Sequence, residues 1–412
     1  MAHEDDLDPA AAEFVLQFVR ALHAYGESAQ RLEDLVRAIS ERLGLRDVQL
    51  FSQPTGIMAA FGPLGRQQVH MLRVVPGAVN LGKLAEVERV ALDVAHGRQS
   101  AAHGVAELAR IAAAPPPYGP ALTIAAVALV SGIACQFLGG GRREIVVATL
   151  LGLELGLLDR LAASRPRVGG VFEPLAAFLV SLTAVALAQL FGPFAVLVAT
   201  LGGLIVLVPG LTLTTALNEL ASRHLASGTA RLSGAVMTFL TIAFGVALGN
   251  RAAASVLGTL PAAAPDVLPP WAGLAARVVA PVCFVVIFRA GPRDLPWILV
   301  TGLLGVQFAR AGAATLGPEL GAFAGAFTVA LAGRLYERWR HRPAAIVTVP
   351  GLVLLVPGSV GFLSLTSLME RQVLAGIETA FSAVITAMAL VAGLLVAGVL
   401  VPERRVWEAR AG

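Results

Sequence analysis

Ten apolar runs occupy most of the chain between residues 119 and 401, and they constrain the fold more than any other feature. Their spans are 119–138, 145–158, 174–191, 193–209, 231–249, 271–289, 295–309, 318–334, 345–363 and 378–401. A helix crossing a bilayer needs ~20 residues, and lipid offers no partners to backbone polar groups, so segments of this kind must be helices. The runs at 145–158 and 295–309 are short, so their ends are open. Composition agrees: 56% of the 412 residues are hydrophobic and 14% charged, against roughly 25% charged in soluble domains. The 43 glycines suit close helix packing in lipid. Of 31 basic residues only Lys83 is lysine, and most Arg lie between apolar runs; nothing here is a nucleic-acid signature. Cys135 and Cys283 both sit inside apolar runs, which reads as buried thiols and not as a disulfide or metal pair.

Within this pattern one phrase occurs twice: Leu207-Val208-Pro209-Gly210 and Leu355-Val356-Pro357-Gly358. Proline lacks a backbone donor and clashes with the preceding turn, so each pair breaks a helix and frees polar backbone that must face protein or a watery cavity. Shifting the chain against itself by 148 residues gives 15 identities in the 46 positions from 200 to 245, including Thr200/Thr348, Gly203/Gly351, Arg223/Arg371 and Gly228/Gly376. At a shift of 150, Gly141-Arg142-Arg143-Glu144 resembles Gly291-Pro292-Arg293-Asp294. Five crossings per copy is odd, so consecutive copies enter the membrane with opposite polarity. This predicts a mostly α membrane protein with ten transmembrane helices as two inverted five-helix repeats, the first break near the cytoplasmic face and the second near the outer face. Matching breaks in such repeats point to a transport site. With the N-terminus inside, 14 Arg fall on the cytoplasmic side and 5 on the far side, so both termini are expected in the cytoplasm.

The first 117 residues read as a small cytoplasmic α+β domain. Asp8-Pro9 is a helix start, and apolar residues recur at helical spacing from Phe14 to Leu43, interrupted at Gly26. Three strands are expected at 48–52, 57–61 and 68–74, then helices at 81–96 and 104–113. Pro115-Pro116-Pro117 forms a stiff hinge. The acidic start lacks the basic and apolar regions of a signal peptide. The expected units are therefore 1–117, a first membrane repeat at 118–250 and a second at 271–402.

Ionisable groups inside membrane spans usually face a cavity or a partner. Glu154, in the middle of the second run, reads as a proton carrier, because removing a carboxylate from water favours its neutral form; a hydrogen bond to a neighbouring helix is the plainer alternative. Asp159 can simply pair with Arg160 or Arg165. Asn218 and Glu219 follow the first break and could meet a substrate ammonium, a hydroxyl or a proton. Arg231 could pair with Glu219 or hold a carboxylate. Thr212, Thr214 and Thr215 could contact a hydroxyl, though Thr commonly bonds its own helix. Arg143-Glu144 and Arg293-Asp294 are either gate ion pairs or solvated loop charges. Arg277 needs a partner or must snorkel, and Glu370 and Glu378 read as interfacial. Ser28 lacks a nucleophile elbow, His70, His96 and His103 lack zinc spacing, and no phosphate-binding Gly-rich loop is present. No enzymatic activity, cofactor or metal is expected.

Several stretches together resemble the threonine/serine exporter family. These are Tyr25-Gly26-Glu27-Ser28 with Arg31-Leu32-Glu33, Arg73-Val74, Asn80-Leu81-Gly82-Lys83-Leu84 and Tyr118 in the first part. Gly139-Gly140-Gly141, Pro209-Gly210, Asn218-Glu219-Leu220, Gly228 and Arg231 follow, then Val349-Pro350-Gly351 and Val356-Pro357-Gly358. The likeness covers nearly the whole chain, with Glu219 where the family pattern has Asp. It implies export of L-threonine and L-serine across the cytoplasmic membrane by proton antiport, with a small hydroxy amino acid, protons and the lipid bilayer as partners. Two-chain relatives are linked to dicarboxylate export, so a dicarboxylate such as succinate is the alternative substrate. A membrane-embedded hydrolase and a passive channel are the readings from other classes, and a homo-oligomer stays open.

Overall fold

In a computed structural model the described residues are 8–75, 77–258, 263–355, 358, 361, 364, 367 and 372–401. Pro357, Glu370 and Arg371 lie outside this set, so the second break is described only at Gly358.

The N-terminal part contains α1 (Pro9–Ala24), α2 (Ala29–Arg42), β1 (Gln49–Gln53), β2 (Gly56–Phe61), β3 (Gln68–Arg73), α3 (Leu81–Ala95) and α4 (Ala101–Ala113). Asp8 caps α1 by accepting from the Ala10 amide at 3.0 Å, with Pro9 in the first turn. The strands form an antiparallel sheet in the order β1-β2-β3. Alternation puts Ile57, Ala59 and Phe61 of β2 into a core with Phe14, Phe18, Leu22, Leu32, Ile39, Leu84 and Ile111. The strands and helices expected from periodicity are present with ends shifted by up to three residues.

Among the described residues these α-helices follow: α5 (Pro120–Phe137), α6 (Arg142–Ala163), α7 (Phe172–Phe191), α8 (Val196–Gly203), α9 (Gly210–Ala221), α10 (Leu225–Leu257), α11 (Pro270–Ile287), α12 (Leu295–Leu316), α13 (Pro318–Arg340), α14 (Ala345–Val353) and α15 (Val373–Leu400). Among the described residues six segments are long and apolar enough to cross a membrane: 120–137, 169–191, 225–257, 270–287, 292–316 and 373–400. Helices α6 and α13 are equally long but more polar. The run at 193–209 departs from expectation. It does not end at the Pro-Gly pair; α8 stops, the chain turns, and α9 resumes for twelve residues with Pro209 as its N-cap. Proline is tolerated at a helix start because the first amides need no intrahelical partner.

Helix α5 packs on α6 and α11, α7 on α10, α12 on α13, and α13 on α15; α8 lies against α5 and α6, and α14 against α12 and α13. Small residues make these approaches. A Cβ on Gly203 of α8, for example, would stand 2.6 Å from Leu151 Cβ of α6.

The N-terminal part is locked onto the helices. The first amides of α3 donate to the last carbonyls of α11, Leu81 N–H to Phe288 O at 2.9 Å and Gly82 N–H to Arg289 O at 3.1 Å. The Tyr118 hydroxyl donates to Ala290 O at 2.7 Å. Only glycine fits at 82, where a Cβ would stand 2.7 Å from Arg289 O. One helix's spare donors thus satisfy another's spare acceptors.

Candidate transport site

The two repeated phrases meet. After Gly203 the chain makes short turns, Leu207 N–H to Leu204 O at 2.9 Å and Val208 N–H to Ile205 O at 3.2 Å, before α9 begins. Gly358 sits on this bend: a Cβ there would be 2.9 Å from Val208 Cγ1 and 3.1 Å from Gly210 Cα. The expectation of one break near each membrane face is thereby corrected. Faces of a hydrocarbon core are ~30 Å apart, so breaks in contact share one depth. Glycine in both copies permits this close approach.

Helix α8 ends at the bend and α9 starts there. A negative and a positive helix terminus therefore converge on it. Thr212 is exposed, Thr215 half-buried, and buried Thr214 Oγ1 donates back to Gly210 O at 3.1 Å. Asn218 is half-buried farther along α9.

Glu219 does not face the bend. It lies at the opposite end of α9, fully buried, and protein donors occupy it: the Ala29 amide at 3.0 Å, Ser227 Oγ at 2.7 Å and Arg231 Nε at 3.1 Å. Ala29 opens α2, so Glu219 is an anionic cap on a helix of the N-terminal part. The Arg231 pairing considered from sequence is present. Beside it His224 Nε2 lies 3.2 Å from Glu33 Oε2.

Glu154 is half-buried on α6. Its Oε1 accepts from Thr183 Oγ1 of α7 at 3.1 Å, while Oε2 is buried without a hydrogen-bond partner among the described residues. Neither matching Arg-acid pair is an internal ion pair. Arg143 and Arg293 are exposed, whereas Glu144 and Asp294 are 2% and 1% exposed. Glu144 accepts from the Gly141 amide at 2.9 Å and from Ala195, just before α8, at 2.9 Å. Asp294 accepts from Tyr336 at 2.7 Å and from Arg342, just before α14, at 2.6 Å. In each half a buried carboxylate thus pins the start of the broken helix; the solvated-loop expectation fits Arg143 and Arg293, and is corrected for Glu144 and Asp294, which are buried among protein donors. Asp159 is exposed, and no ion pair to Arg160 or Arg165 is found among the described residues. Arg277 Nε donates to Gly273 O of its own helix at 2.7 Å, and Glu378 is exposed. Both cysteines are buried free thiols, and among the described residues no cluster could hold a metal.

Sequence reading missed a second buried ion cluster. Arg31 Nη2 of α2 lies 3.2 Å from Glu88 Oε1 of α3 and 3.2 Å from Glu337 Oε1 of α13, with Glu27 Oε2 at 3.6 Å from Arg31 Nε. Arg334 lies 3.7 Å from Glu337. Burial pushes the Glu88 carboxyl up to about 7, Arg31 opposes that shift, and Glu27 and Glu337 add to it. The visible signal was Glu337 near the end of an apolar run, amid arginines.

Two family models, both described as threonine/serine exporter, match residues 13–252 and 274–400. The pheromone-regulated membrane protein 10 of Pichia sorbitophila is 28% identical over 381 residues, 89% of this chain and 37% of the relative. That of Saccharomyces cerevisiae is 26% identical over 382 residues, 89% of this chain and 48% of the relative. The chain thus spans between about a third and a half of these relatives. No solved structure matches. A membrane protein whose two halves each match this family, and whose repeated helix breaks touch, belongs to the threonine/serine exporter family.

Proposed function

We propose that the chain is a secondary transporter that exports L-threonine and L-serine across the cytoplasmic membrane by proton antiport. The observation that carries the reading is the contact of the two breaks, Gly358 on Val208 and Gly210. Two interrupted helices from opposite halves bring their breaks to one depth, the arrangement from which alternating access arises. The amide end of α9 suits a substrate carboxylate and the carbonyl end of α8 an ammonium. That pairing favours a zwitterion over a dicarboxylate such as succinate, with Thr212, Thr215 and Asn218 as hydroxyl partners. Glu154, with one oxygen unpartnered, is the proposed proton carrier.

Ten crossings in two inverted repeats are also part of this reading. Residues 29 and 219, 81–82 and 288–289, and 118 and 290 join at one end of the molecule. Residues 144 and 195, 143 and 193, and 189 and 257 join away from it. These contacts support helices alternating between the two ends. The Arg excess supports placing the N-terminal unit and both termini in the cytoplasm.

The test is reconstitution in liposomes loaded with labelled threonine, serine or succinate, with and without a pH gradient. Gradient-accelerated efflux of threonine and serine is expected. Succinate efflux alone would replace the substrate, and gradient-independent leakage of all three would replace the mechanism with a channel.

A further inference from the structure

The N-terminal unit runs directly into α5 of the first half, yet its core belongs to the second. Val285, Ala290, Ile298, Tyr336, Ile346 and Val347, all from the stretch α11 to α14, are buried in one apolar cluster with the N-terminal core. Among the described residues no apolar side chain from 119–258 joins that cluster. Backbone contacts agree. The Leu81 and Gly82 amides donate to Phe288 O and Arg289 O, and Tyr118, two residues before α5, donates to Ala290 O. Gly119 is then the joint into the first half, and a Cβ there would meet nothing within 4 Å.

Toward the first half the same unit presents polar groups. They fall on the turn between α9 and α10, where Arg223 holds a left-handed φ of 65° and His224 N–H returns to Glu219 O at 2.8 Å. That turn gathers Glu219, His224 and Arg231 into one patch. The unit meets the patch with the Ala29 amide on Glu219 at 3.0 Å and with Glu33 on His224 at 3.2 Å. The Glu33 and His224 side chains are each 22% exposed, so water reaches the rim of this contact. One unit thus has two interfaces of different kinds. Parting the apolar one exposes hydrocarbon to water with nothing gained in return. Parting the polar one releases charges that water can solvate, which suits surfaces that separate and rejoin.

We propose that the N-terminal unit is a latch carried by the second half, and that it holds the first half by the α9–α10 turn until this end of the molecule opens. The grip falls on α9, whose other end is the Pro209-Gly210 bend. Its 12 residues, at 1.5 Å each, put ~18 Å between latch and bend. A shift of the unit therefore reaches the central contact through a single helix. When the halves rock against each other, the unit cannot keep both; the apolar face stays and the charged face lets go. Only this use of the latch rests on the transport reading.

The wild-type chain in liposomes gives the first test. Ala29, Leu81 and Gly82 are all first-turn amides of a helix, bonded to acceptors outside the unit. After correction for intrinsic rates, the Ala29 amide should exchange deuterium about tenfold or more faster than those of Leu81 and Gly82, because the latch opens without unfolding the shared core. Equal or slower exchange at Ala29 overturns the proposal. The second test places Glu33→Cys and His224→Cys in a background of Cys135→Ala and Cys283→Ala, and joins them with a short reducible thiol-reactive bridge. Bridging should slow efflux of labelled threonine about tenfold or more, with recovery on reduction. The same bridge between Lys83→Cys and Arg289→Cys, neighbours on the second-half side, should leave efflux unchanged. Efflux that survives the bridge at 33 and 224, or that stops equally with both bridges, overturns the latch. If the unbridged protein moves neither threonine, serine nor succinate, the transport reading fails, while the exchange comparison still decides whether the unit unlatches.

Discussion

Glutamine at position 219 tests the lock between the N-terminal unit and α9. Wild-type Glu219 is fully buried, and it is held by Ala29, Ser227 and Arg231, whose side chain is 16% exposed. Glu219→Gln keeps the volume but strands the Arg231 guanidinium and offers an NH₂ group to three donors. Removing one partner of a buried pair costs about 3–5 kcal/mol, mostly the penalty of the charge left behind. At 1.4 kcal/mol per decade, opening of this contact should rise roughly 100- to 5,000-fold. Arg231→Gln should cost a similar amount by stranding the carboxylate. The double variant leaves two neutral amides and should cost less than either single change, a coupling of about 2 kcal/mol or more. Hydrogen exchange of the peptide containing Ala29, measured by mass spectrometry on the intact protein, reads the contact directly. Unchanged exchange in Glu219→Gln, or additive effects in the double variant, would refute the claim that this carboxylate holds the two parts together.

Other outcomes follow from the same structure. Gly358→Ala should lower transport sharply, with about 1–3 kcal/mol of strain, because the new Cβ meets Gly210 backbone that cannot move aside; efflux at wild-type rate would show that the breaks need no contact. Glu154→Gln should abolish gradient-coupled efflux while leaving the fold intact, and retained coupling removes it as proton carrier. Glu88, raised to about 7 from 4.5, favours its protonated form in the folded protein. Its contribution is full below pH ~4.5 and is lost as pH rises through about 7, a span of about 3 kcal/mol. Thermal midpoints from pH 5 to 8 should therefore fall in wild type and flatten in Glu88→Gln; parallel curves would contradict the assignment. Gly82→Val should undock α3 from α11, seen as faster proteolysis between the N-terminal unit and the helices.

Membrane residence, the helical runs, the N-terminal α+β unit and the paired Pro-Gly breaks were legible in the residues alone. Each is a local consequence of hydropathy, period or the missing proline donor. The family resemblance rested on short stretches that are likewise contiguous in sequence. What faces what required tertiary structure. Period and composition did not indicate that Glu219 would turn away from the bend to cap a helix 190 residues earlier, or that Gly358 would rest on Gly210 at a shared depth. Nor did they reveal that Arg31, Glu88 and Glu337 would converge from α2, α3 and α13. A buried charge is stable only where its partners come together in space, and chain order leaves that pairing open. The membrane character of this protein is therefore written along its chain, while its locks and its central contact exist only once the helices are packed.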